Sequence, residues 1–265
     1  MQEVLCQMEN SVLTITINRP EKMNSLNVNV LADLRGAIER ARTDSMVRCV
    51  VLCGAGKGFS SGDDLKGGML PKDEKDRRVA VSELGVHRRA RDEYGTLVEA
   101  LRALPKPVIC KIHGFAVGAG FELCLGCDLR YAADDTKFSL PFALRGISAG
   151  GVLLPRFVGL TRAVELLFTG RTFYASEAES LGLLTGVFPA GELDAAVDGI
   201  ARQLAESATF AIGLTKQTLY WTADKSVEEG LLFQAFNTTL TADSYDCQEG
   251  KKAFLEKRKP EFKGC

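Results

Sequence analysis

Short apolar runs alternate with amphipathic stretches along the first half of the chain. Ser11 to Ile17, SVLTITI, alternates apolar and polar side chains with period two and reads as a half-buried strand ending at Asn18-Arg19-Pro20. The following VNVLADLRGAIERAR places Leu31, Leu34, Ile38 and Ala41 on one helical face. VRCVVLCG is apolar almost throughout, as a strand buried on both faces must be, and it runs into the loop AGKGFSSGDDLKGG. A charged stretch from Lys72 leads into a helix through YGTLVEALRAL, which Pro105 and Pro107 stop. VICKIHG is the next buried strand; a glycine run follows, then FELCLGCDL as a short apolar helix. This strand-helix alternation predicts an α/β fold, and the lack of a G-x-G-x-x-G fingerprint argues against a dinucleotide-binding unit.

The second half changes character. TRAVELLFTG, SEAESLGL, ELDAAVDGIARQLAES, FAIGLTKQTLYWTA, VEEGLLFQAFNTTLTA and CQEGKKAFLEKR all carry helical periodicity with breakers between them. No second α/β core is legible there, so the region reads as a helical appendage that covers a site or makes an oligomer contact.

With 265 residues, 46% of them hydrophobic and 25% charged, the chain can bury a large core in one main domain. A formal net charge of −1 gives no electrostatic bias toward nucleic acid or an anionic membrane, leaving small molecules or copies of itself as expected partners. MQEVLCQMEN has neither a basic apolar leader nor Arg/Ser-rich character, and no apolar run is long enough to span a bilayer, so a cytoplasmic location is expected. Most of the eight cysteines lie inside apolar runs and read as small core residues of a reducing compartment. Cys110, His113, Cys124 and Cys127 have a superficial zinc-ligand spacing, C-x2-H-x10-C-x2-C. They occupy strand-like and helix-like apolar segments rather than the polar loops of zinc knuckles, so no metal is expected.

Two glycine-rich loops carry the candidate chemistry. GAGKGFSSGDDL and HGFAVGAGFEL each follow a buried strand and run into helix-like sequence, where backbone N–H groups lack intrahelical partners. Side by side, two such loops would aim two donors at one developing negative charge, as an oxyanion hole requires. The alternative is that the glycines only permit tight turns and close packing. Glu122 is the sole carboxylate between His113 and Asp128, set among Phe121, Leu123 and Leu125. Burial there should raise its pKa and suit it to acid-base work, unless it pairs structurally with Lys111 or Arg130.

Five segments, TINRPEKMNSLN, GFSSGDDLKG, PKPVICKIHGFAVGAGFELCLGCDLRYAADDTKFSLP, PRFVGLTRAVELLFTGR and ASEAESLGLLTGVFP, together with the C-terminal AFLEKRKPEF, resemble the crotonase superfamily, the enoyl-CoA hydratase/isomerase family. The resemblance implies a spiral of ββα turns over residues 1–200, with a C-terminal helical trimerisation region over 201–265. It further implies a homotrimer or hexamer acting on acyl-CoA thioesters, with coenzyme A entering as part of the substrate and no other cofactor. By position, the hole would be the backbone N–H groups of Asp63 and Ala119, binding a thioester carbonyl that becomes an enolate. The family more often has alanine at the first position and glycine at the second, and the Asp63 carboxylate must point away from an enolate it would repel. Ser61, Gly62, Asp64, Leu65 and Lys66 would line the coenzyme A, Lys22 would meet its phosphates, and Gly118 would border the hole. Lys22 and Lys66 are equally compatible with being surface lysines.

Glu122 matches one of the two glutamates that hydratases of this family use to add water across a double bond. The other would directly follow Pro141, where this chain has Phe142. GISAGGVLLPRFVG, beside it, is a few residues shorter than the usual pattern. Isomerases of the family that rely on one acid tend to keep the one at position 142, so Glu122 alone is atypical for both reactions. The resemblance therefore implies thioester chemistry more firmly than hydration, and Glu83, His87 and Tyr94 are candidates for a second proton donor. A non-catalytic acyl-CoA-binding homologue, or a decarboxylase or hydrolase using the hole alone, stays open.

Overall fold

The computed structural model describes residues 2–65 and 93–265. Strands β1 (Val4–Glu9) and β2 (Val12–Ile17) form an antiparallel hairpin, joined by Asn10 and Ser11 in left-handed conformation, the two-residue turn that matches strand twist. β1 was not legible in the sequence because its side chains are mostly exposed, which leaves it without an apolar pattern. After helix α1 (Val28–Thr43), capped by the Asn27 side chain on Val30 N–H, come β3 (Cys49–Gly54), helix α2 (Glu93–Ala103) and β4 (Val108–Ile112). β5 (Phe115–Val117) leads into helix α3 (Ala119–Gly126), followed by β6 (Leu129–Ala133) and β7 (Lys137–Ser139).

Helix α4 (Leu154–Thr169), broken at Gly159, precedes β8 (Thr172–Tyr174), α5 (Ala175–Ser180), β9 (Gly186–Phe188) and α6 (Leu193–Ala205). The helices α7 (Thr209–Trp221), α8 (Val227–Ala242) and α9 (Tyr245–Glu256) complete the chain. The six long helical patterns of the second half are thus all helices, but β8 and β9 lie among them. At three residues each, these strands are too short to show a period of two.

One sheet runs β1-β2-β3-β4-β6-β9, parallel from β2 onward, and a second, small one runs β5-β7-β8. Both faces of the large sheet are covered. Val50 and Leu52 of β3 join the core under α1, α2 and α3, while Cys49 and Val51, pointing the other way, pack with Val197, Ala201 and Ala205 of α6. The expected boundary at residue 200 falls inside α6, a helix seated on the sheet.

α7 is tied to that core by a buried polar knot. Asp128 accepts from Val108 N–H (2.8 Å), the Lys216 ammonium (2.8 Å) and the Tyr220 hydroxyl (2.6 Å), and Lys216 also donates to Leu101 O (2.8 Å). Burial pushes Lys216 down and Tyr220 up, and the Asp128 carboxylate adds to the rise of Tyr220. Asp128→Ala would leave the Lys216 ammonium, 6% exposed, without its counter-ion. Denaturant unfolding of that variant is expected to show a loss of about 3 kcal/mol, the lower end for breaking a buried ion pair.

Candidate active site

The two glycine-rich loops are stitched together by backbone hydrogen bonds. Ser60 N–H donates to Phe115 O (3.2 Å) and Val117 N–H to Ser60 O (3.0 Å), a parallel bridge between Ser60 and Ala116. One step further on, Leu26 N–H donates to Gly62 O (2.8 Å) and Asp64 N–H to Leu26 O (2.9 Å). In a parallel bridge of this kind the middle residue, here Asp63, turns its own N–H away from the partner strand. Ala119 is the first residue of α3, where an N–H has no partner within the helix. Neither the Asp63 N–H nor the Ala119 N–H donates to an acceptor among the described residues.

Glycine makes the contact between the loops possible. Gly62 has φ +85°, and a methyl group on it would lie 2.6 Å from Val117 O and 3.3 Å from Ala119 N. Gly120 faces Ser60, where a methyl group would meet Oγ at 2.8 Å. The first loop also hangs on a polar hub in the segment before α1. Buried Arg19 pairs with Glu3 (2.9 Å) and Asp64 (3.0 Å) and donates to Ser25 O (2.7 Å). The Asn24 amide donates to Ala55 O (2.7 Å) and Gly58 O (2.8 Å), and Ser60 Oγ donates to Asn24 O (2.8 Å) while accepting from Gly62 N–H (3.1 Å).

Glu122 lies three residues after Ala119 in the first turn of α3, so the two share a helix face. It is half-buried, its N–H donating to Gly118 O (3.1 Å), between fully buried Phe121 and Leu123. A carboxylate in a first helical turn also has the favourable end of the helix dipole. Neither structural partner expected from sequence takes that part. Lys111 pairs with Asp194 (2.5 Å), and Arg130 donates to Leu183 O (2.6 Å) and Cys127 O (2.7 Å) while lying over the Phe157 ring.

Phe142 is buried against the same helix terminus. Its ring would meet a methyl group on Gly118 at 3.5 Å and one on Gly150 at 3.2 Å, so it is wedged between the residue preceding the Ala119 donor and the short glycine turn beyond. A hydrocarbon surface therefore stands where the family resemblance places a second carboxylate.

A family model for enoyl-CoA hydratase/isomerase matches residues 7–265. A 1,2-epoxyphenylacetyl-CoA isomerase of Escherichia coli is 36% identical, covering 100% of this chain and 99% of its own. An (E)-benzylidenesuccinyl-CoA hydratase of Thauera aromatica is 35% identical over 98% of this chain and 99% of its own. The crystal structure of an enoyl-CoA hydratase from Mycobacterium smegmatis superposes with TM-score 0.89 at 30% identity, covering 99% of both chains. The chain belongs to the enoyl-CoA hydratase/isomerase family. Its fold is the crotonase fold, with the two sheets, their covering helices and the helical C-terminal region described above.

Within that frame the expected site residues divide into groups. Asp63, Gly62, Gly118, Ala119, Glu122 and Phe142 come together around the start of α3. Ser61, whose N–H donates to Met23 O (3.0 Å), and exposed Leu65 and Lys22 lie on the loops that lead to it. Asp64 spends its carboxylate on Arg19. Lys66, Glu83 and His87 lie outside the described residues. Tyr94, on α2, donates its hydroxyl to Asp63 Oδ1 (2.8 Å).

Arg19, Asn24 and Ser60 were not singled out from sequence, although the polar cluster in NRPEKMNSLN is the signal that could have exposed the hub. The thiols of Cys110, Cys124 and Cys127 are packed in the core; burial pushes the first two up, and the bond with Cys110 followed by burial does so for Cys127. The His113 ring lies away from them, 2.9 Å from Gly56 O, and among the described residues no cluster is placed to hold a metal ion.

Gly62→Ala combines a left-handed backbone with a contact to Val117 O, and is expected to lower stability by roughly 1–3 kcal/mol and turnover with it. Thermal unfolding together with an acyl-CoA turnover measurement checks this; turnover and stability both equal to those of the parent would show that the loops can separate freely.

Proposed function

We propose that this chain forms and stabilises the enolate of an acyl-CoA thioester. The Asp63 and Ala119 N–H groups would bind the carbonyl oxygen, and Glu122 would move the proton. The observation that carries this reading is the stitching of the two loops, which brings two N–H groups without described acceptors to one junction, three residues from a half-buried carboxylate. Each such donor is worth about 10²- to 10³-fold in rate when aimed at developing charge. Lys22, Ser61 and Leu65 would face the coenzyme A side of the substrate.

Phe142 weighs against one of the reactions the family offers. A single carboxylate can take a proton from one carbon of the enolate system and return it to another, which shifts a double bond. Hydration needs a water molecule held and polarised between two groups, and a phenyl ring cannot be the second. Double-bond isomerisation, or another reaction through the enolate, therefore fits better than saturating hydration. The two relatives named above act on phenylacetyl- and benzylidene-type thioesters, and an apolar ring beside Gly118 is a suitable neighbour for such acyl groups.

Phe142 also favours a second reading, a chain that binds acyl-CoA without turning it over or that uses the N–H pair alone in decarboxylation or hydrolysis. A panel of aliphatic, aromatic and malonyl-type thioesters followed by mass spectrometry separates these. Glu122→Gln is expected to reduce turnover by at least ~10²-fold while leaving acyl-CoA affinity nearly intact; unchanged turnover would remove Glu122 from the mechanism. Under the non-catalytic reading, calorimetry shows binding, no thioester of the panel is consumed, and Phe142→Glu gains hydration.

A further inference from the structure

A carboxylate on the residue that supplies an oxyanion donor is a liability. Asp63 would offer its N–H to an enolate oxygen while its own side chain, only a few bonds away, carries the same charge as that oxygen. At such separations in a site screened from water, like-charge repulsion can cancel the gain from a hydrogen bond. Alanine at this position would avoid the conflict, so a chain with aspartate needs some way to direct the charge elsewhere.

The structure contains such a device. Tyr94 of α2 donates its hydroxyl to Asp63 Oδ1 at 2.8 Å, while Leu26 O is farther from that hydroxyl, at 3.4 Å. Of these two acceptors, the nearer and charged one is the stronger partner for the phenol proton. Tyr94 is itself positioned by packing, since its ring lies against the main core and its helix packs on both α1 and α3. The Asp63 backbone is fixed independently by the bridge to Leu26. Both ends of the hydrogen bond are thus anchored to rigid elements, and the carboxylate is held toward α2.

We propose that Tyr94 is a positioning residue for the oxyanion donor at Asp63: its hydroxyl holds the Asp63 carboxylate away from the thioester oxygen and disperses its charge. This rests on the enolate reading above. Tyr94 touches no reacting atom; it acts through Asp63, and its effect depends on the negative charge there. Removing the hydroxyl frees the carboxylate to rotate toward the oxygen, and removing the charge makes the hydroxyl unnecessary.

The test follows exchange of the α-protons of a saturated acyl-CoA in D2O by NMR, a direct report of enolate formation, alongside kcat and KM for whichever thioester the panel selects. Tyr94→Phe, which keeps the ring, is expected to slow exchange and kcat by about tenfold to a hundredfold, with KM changed little. Asp63→Asn, added to Tyr94→Phe, is expected to recover most of that loss. A packing defect from the lost hydroxyl would not respond to neutralising Asp63, and melting curves of both variants identify such a defect. Equal rates for Tyr94→Phe and the parent, or a loss that Asp63→Asn does not relieve, would overturn the role of Tyr94 while leaving the enolate reading in place. A parent protein that neither exchanges α-protons nor turns over any thioester would instead overturn the enolate reading, and this role with it.

Discussion

The short backbone ladder between the two glycine-rich loops is the contact on which the site depends. Ser60 and Ala116 pair as if they were strand neighbours, and the pairing carries the chain on each side to the junction of Gly62 with Ala119. Backbone can come this close only where side chains are absent, which accounts for Gly62 and Gly120 facing the opposite loop. The remainder of the fold supports this ladder. β3 and β4 deliver the loops from adjacent positions in a parallel sheet, and Arg19, Asn24 and Ser60 fix the first loop to the segment before α1.

Three carboxylates near this junction are handled in different ways. Glu122 is kept in the first turn of α3, where the helix dipole favours it and buried Phe121 and Leu123 flank it. Asp63 is tied to Tyr94, and Asp64 is neutralised by Arg19. On the other side, the buried Phe142 ring sets hydrocarbon beside Gly118 and Gly150, and under the proposed reading leaves Glu122 without a second carboxylate. Membership of the enoyl-CoA hydratase/isomerase family thus fixes the substrate class more closely than it fixes the reaction.

Much of this was legible in the sequence, for physical reasons that can be assigned residue by residue. β3 is buried on both faces and so appears as an unbroken apolar run, and β4 as one interrupted only at Lys111; α1 has a clean one-sided stripe. The glycine spacing marked both loops, and the lone carboxylate marked Glu122. What escaped was encoded by long-range pairing. β1 is mostly exposed, and β8 and β9 are three residues long, so none has a readable period. The partners of Asp63 and Asp64 are 31 and 45 residues away in the chain, and no local pattern announces that Tyr94 or Arg19 will reach them.

The carbonyl of a bound thioester tests the convergence of the two donors most directly. With a 13C-labelled acyl-CoA, infrared difference spectra of the bound state report how strongly the carbonyl is polarised. Donation by both Asp63 and Ala119 N–H groups moves the C=O stretch to clearly lower frequency than in water. A bound thioester whose carbonyl absorbs at or above its frequency in water would show that the two loops do not form an oxyanion hole.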